Sequence, residues 1–133
     1  MRNRLGLVLW GCLLLSGGSA VAHHSQAMFD RSKPVTLKGV VKKFEWTNPH
    51  ILLEMLVQEG NGAGTEYFLE GLSPGVLRRQ GWSFEVLKPG DKIVAVMYPL
   101  YDGRPGGRMV SVTTADGKVF GTAAPPPAPA PAR

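Results

Sequence analysis

The chain has 133 residues, of which 44% are apolar, with 15 basic and 10 acidic side chains and one cysteine. That length supports one small core and is too short for several domains. No run of Lys or Arg exceeds two, so the formal charge of +5 is too scattered to capture nucleic acid, and no nucleic-acid partner is expected.

The first four residues carry Arg2 and Arg4 and no acid. Residues 5–15 are apolar apart from Gly6 and Gly11, and Ala20-Val21-Ala22 follows. A basic start, a short apolar run and small residues at −3 and −1 are the parts of a secretory leader. Residues 1–22 are therefore expected to be cleaved after export, leaving a periplasmic or secreted protein that begins at His23. The apolar run is well short of the roughly 20 residues that span a bilayer, so no stable membrane span is expected after cleavage. Losing Arg2 and Arg4 lowers the net charge to +3, from 13 basic and 10 acidic residues. Cys12 leaves too, since Trp10 stands where a lipoprotein signal needs a small residue. A mature chain without cysteine has no disulfide, thiolate metal site or cysteine nucleophile.

Residues 23–33 read as an N-terminal arm, 34–121 as one domain and 122–133 as a disordered Ala/Pro-rich tail. The tail favours extended polyproline geometry and buries nothing. Within the domain, residues 34–46 are rich in β-branched side chains. Val35 and Leu37 share one parity, whereas Val40, Phe44 and Trp46 share the other. A switch at Gly39 predicts a bend or bulge there in a long first strand. Thr47-Asn48-Pro49 is turn chemistry. Ile51, Leu53, Met55 and Val57 alternate as a second strand with one buried face, and a glycine-rich hairpin loop leads to a third strand at residues 65–69.

The period then changes. Ser73 is placed to cap a short helix starting at Pro74, with Gly81 as its left-handed stop. A turn at residues 88–91 precedes a fourth strand at 93–98. Residues 101–107 form a polar, glycine-rich loop, 109–113 a fifth strand, and Asp116-Gly117 turns into a last short strand at 118–120. The fold class predicted is all-β: a small OB-like five-stranded barrel with one short helix between strands 3 and 4. A different open barrel or a β-sandwich fits the same order.

Several of these segments are similar to an uncharacterised bacterial family of small exported proteins with a domain of unknown function. They are Ala22-His23-His24-Ser25, Phe29-Asp30, residues 33–39, Glu45-Trp46-Thr47-Asn48-Pro49-His50, Ser73-Pro74, Gly81-Trp82, residues 87–91 and Asp102-Gly103. The resemblance covers roughly residues 22 to 120. It implies an exported single domain and supplies no activity.

Only three histidines occur: His23, His24 and His50. An N-terminal His offers its amine and imidazole Nδ1 to one ion, and a second imidazole completes a T-shaped nitrogen set. That tetragonal nitrogen arrangement suits Cu(II). His23, His24 and His50 are thus the candidate metal ligands and copper the candidate cofactor, with Met28, Asp30 and Glu45 as auxiliaries. The brace depends on cleavage falling before His23. The alternative is a non-metal envelope interaction module, binding a protein or glycan through a barrel face with Trp46, Asn48, Tyr101 and Arg104. Catalytic residues are not expected. Ser25 and Ser73 lack a His and Asp arrangement, no phosphate loop is present, and no carboxylate spacing singles out an acid–base pair. The expectation is a binding domain, not an enzyme.

Overall fold

The computed structural model describes residues 26–121; the expected leader with Cys12, the candidate ligands His23 and His24, and the Ala/Pro-rich tail lie outside the described residues. A 3-10 turn at Gln26–Met28 leads to six strands: β1 (Val35–Glu45), β2 (Leu52–Val57), β3 (Thr65–Glu70), β4 (Lys92–Pro99), β5 (Gly106–Thr114) and β6 (Val119–Gly121). The helix α1 (Pro74–Arg79) stands between β3 and β4. Strand order is β3-β2-β1-β4-β5-β6, and β3 also pairs with β5. That last pairing is parallel, and it closes five strands into a mixed barrel of the predicted OB-like class.

Period-two patterning places the core. Leu53, Met55 and Val57 of β2 point inward beside Leu37 and Val41 of β1 and Leu69 of β3, while Thr36, Lys38 and Lys42 face solvent. Ser73 Oγ accepts the Val76 N–H at the start of α1, Pro74 needs no donor there, and Gly81 stops the helix at φ +84°. The helix and the segment after it drive Leu77 and Trp82 into the core. The Trp82 ring packs 5.2 Å from that of Phe120 and 6.3 Å from that of Phe44.

Two expectations need correction. The side switch in β1 does not turn Val40 inward: Val40 is exposed and Val41 buried. The change of phase comes instead at a bulge between Val41 and Lys43, where one extra residue is inserted against β2. Gly39 has a different role, since it pairs with Ile93 of β4 and with Val57 of β2, at the point where β1 passes from one partner to the other. A Cβ there would lie 2.3 Å from the Leu56 carbonyl oxygen.

The second correction concerns β5, which begins at Gly106 and not at residue 109. Gly106 and Gly107 are buried strand residues. A Cβ on Gly106 would meet the Phe68 carbonyl oxygen at 2.7 Å, and one on Gly107 the Tyr98 carbonyl oxygen at 2.2 Å. The glycines therefore serve close strand approach at the seam, a need that composition cannot separate from loop flexibility.

Candidate functional site

The turn between β1 and β2, with a cis Asn48–Pro49 bond, delivers His50 to the start of β2. Leu52 pairs with Glu70, so the last residue of β3 lies beside that turn. His50 Nδ1 is 2.7 Å from Glu70 Oε1, with side chains 34% and 26% exposed. Without a proton between them both atoms would be acceptors, so Nδ1 donates. In the neutral ring Nε2 then keeps its lone pair, and among the described residues nothing is bonded to Nε2.

Glu70 is held from the other side as well. Register at the parallel seam sets it against Arg108, whose Nη1 donates to the same Oε1 at 3.2 Å. The Arg108 side chain is only 11% exposed. A guanidinium that far out of water needs a carboxylate partner, and β3–β5 closure supplies one. The outcome is a fixed row: Arg108 positions Glu70, and Glu70 sets the tautomer and orientation of His50. Leu52 and Phe68 stand exposed on the same outer face.

Of the other predicted site residues, Glu45, Trp46 and Asn48 lie on or beside the same β1–β2 connection, whereas Met28, Asp30, Tyr101 and Arg104 sit elsewhere. Met28 and Asp30 lie against the end of β4: Tyr101 N–H donates to the Met28 carbonyl at 3.0 Å, and Asp30 N–H to the Pro99 carbonyl at 2.8 Å. The Asp30 carboxylate accepts from Ser32 N–H and Oγ at 3.0 and 2.6 Å, and these bonds hold it below the usual carboxylate range. Glu45 is paired with Lys43 on the surface. Among the described residues no three His, Cys, Asp or Glu side chains form a metal site.

Trp46 is half-buried, edge-on to Phe44 at 6.0 Å, with the Arg78 guanidinium 5.9 Å over its ring. Asn48 is exposed in the same turn, whereas Tyr101 and Arg104 are exposed in the loop between β4 and β5. Because β1 and β4 are antiparallel, these loops lie at opposite ends of their shared ladder. Arg104 Nε is taken up by Asp102 at 2.8 Å, and the Arg104 backbone and side-chain bonds hold the Asp102 carboxyl below its ordinary range.

Glu70 and Arg108 were not singled out as site residues from the sequence. Hairpin register could have found Glu70, since a β2–β3 hairpin with Val57 opposite Thr65 puts Leu52 opposite residue 70. Arg108 had no such signal, because its partner lies 38 residues away across a non-local seam.

The molecule is thus a small closed β-barrel of OB-like class carrying an oriented histidine on its outer rim. Among the described residues, no helix is long and apolar enough to cross a membrane. The chain belongs to a family of unknown function, DUF6152, which it matches over residues 12–109. No curated protein and no solved structure matches it.

Proposed function

We propose that this chain is a small exported binding domain that holds copper as Cu(II), through the amine and imidazole of His23, the imidazole of His24 and Nε2 of His50. The observation that carries this reading is the Glu70 carboxylate 2.7 Å from His50 Nδ1. A metal-bound imidazole characteristically gives its other N–H to a carboxylate, which fixes the ring and raises the basicity of the ligating nitrogen. An amine and imidazoles make the nitrogen-rich, tetragonal set that Cu(II) prefers.

The test is a Cu(II) titration, by calorimetry and electron paramagnetic resonance, of protein whose chain begins at His23. One-to-one binding with nitrogen hyperfine structure is expected, with an imidazole contribution lost in His50→Ala. One extra residue before His23 is expected to destroy the His23 amine–imidazole ring and, by making His24 the third residue, to replace the spectrum with that of an amine, two-amide and imidazole set that has no His50 contribution. Binding no tighter than that of a His-His peptide overturns the reading.

A second reading draws on exposed Leu52 and Phe68, which stand on the outer β2–β3 face. OB-type barrels bind their ligands on that face. Here it would serve a non-metal envelope partner, a protein or glycan. Such binding would fall in Phe68→Ala and ignore an added N-terminal residue.

A further inference from the structure

The outward positions of β1, β2 and β3 form a patterned face. Register aligns Val40 with Leu56 and Glu66, Lys43 with Glu54 and Phe68, and Glu45 with Leu52 and Glu70. Phe68 is 53% exposed and Leu52 41%. The two are diagonal neighbours, and Leu56 with Val40 continues the apolar surface on the far side of Glu54. Across the seam from Phe68 stands Gly106, which adds no side chain to shield the ring.

Charge singles out one position in that face. Glu45 is paired with Lys43, Glu66 with Lys42 and Glu70 with Arg108. Among the described residues no hydrogen bond or ion pair holds the Glu54 carboxylate. Its cross-strand neighbour Lys43 feels its charge but is bonded to Glu45. Moving Lys43 to Glu54 would only release Glu45, because three cations answer four carboxylates here. Lys38 is no substitute, since it lies on the β4 side of Gly39. Glu54 is already half-buried, and it stands directly opposite Phe68, at a Cβ separation of about 5 Å. Whatever covers the Phe68 ring must therefore dehydrate this carboxylate. A neutral or anionic partner would leave it buried and unpaired, and only a cation offsets that cost.

We propose that this face binds an extended basic and apolar peptide segment of a partner protein, one arginine of which lies over Phe68 and forks onto Glu54. The inference rests on the second reading above, whose partner it specifies, and is independent of copper. A guanidinium suits both neighbours at once, since its plane stacks on an aromatic face and its donors match a carboxylate. Leu52, Glu54 and Leu56 follow one another at about 7 Å, the step that also separates alternate side chains of an extended peptide. An apolar residue two positions before the arginine, and another two after it, then cover Leu52 and Leu56. A neutral glycan brings no cation for Glu54.

The experiment follows amide NMR shifts of the full chain, with a chelator present so that no metal takes part. The probe is an end-blocked peptide, Ser-Leu-Ser-Arg-Ser-Leu-Ser, set beside the same peptide with Gln in place of Arg and beside a neutral N-acetylglucosamine trimer. Expected are shifts centred on residues 52–56 and 66–68 with the Arg peptide. The Gln peptide should bind about threefold more weakly, as should the Arg peptide to Glu54→Gln, because exposed ion pairs and cation–π contacts are each modest. Phe68→Ala should cost about tenfold, and Glu85→Gln, exposed outside this face, nothing. Comparing the two peptides on the wild-type chain is independent of any variant's folding. If both peptides bind equally and Phe68→Ala still weakens them, or if the saccharide alone shifts the face, the inference falls and the second reading stands. Shifts of the same residues with protein concentration alone make a second copy the occupant and overturn the inference. If nothing shifts them, both fall.

Discussion

At the scale of single residues, Glu70 is the side chain on which most depends. It joins a largely buried guanidinium to a half-exposed imidazole through one oxygen. Glu70→Ala leaves Arg108 without its carboxylate in a place water barely reaches, and should cost about 2 kcal/mol in urea unfolding. That is below the 3–5 kcal/mol typical of a fully buried pair, because Glu70 itself is partly exposed. The double variant Glu70→Ala/Arg108→Met should recover most of the loss, since no charge is then stranded. A second prediction concerns Asp116 in the turn between β5 and β6. Thr114 Oγ1 and the Lys118 backbone bond its carboxylate and hold its pKa below the ordinary 3.8. A carboxyl with a depressed folded value stabilises above its unfolded pKa and loses that contribution as pH falls through the folded one. Carboxyl titration by NMR should give a midpoint below 3.8, moving up toward it in Thr114→Val. His50 was recognisable from the sequence because histidines are few. Its partners were not, since spacing along a chain does not say which carboxylate a turn will face.

Elements were legible in proportion to how local their causes are. The short helix was readable from Ser73, Pro74 and Gly81, because a cap, a donor-free first residue and a left-handed stop act within one turn. Ser73→Ala should therefore lower stability by about 1 kcal/mol without changing the fold, read by thermal unfolding. Alternation likewise identified β2, whose inward set from Leu53 to Val57 lies as predicted. The start of β5 was hidden. Gly106 and Gly107 have no side chains to alternate, and their strand character comes from neighbours that no local pattern reveals. Gly107→Ala should be far more harmful than a loop glycine would suggest, because its Cβ would stand 2.2 Å from the Tyr98 carbonyl oxygen. A loss of about 1–3 kcal/mol is expected, together with faster amide exchange along the β3–β5 seam. Gly62→Ala, whose Cβ would meet nothing within 4 Å, is the control.

Over the whole molecule, a single core holds barrel and helix together. Leu53→Ala, at a fully buried position, should cost about 2–5 kcal/mol in denaturant unfolding. The amino-acid sequence by itself determined the all-β class, the succession of strands and short helix along the chain, and the one histidine of the barrel. It could do so because apolar alternation, caps and turn residues act over a few positions. Tertiary structure alone decided that β1 changes partner at Gly39, that β3 and β5 close in parallel, and that this closure carries Arg108 to Glu70 and Glu70 to His50. Pairings of this kind join residues tens of positions apart, and their register is set by how strands shear and bulge when a sheet is bent into a barrel.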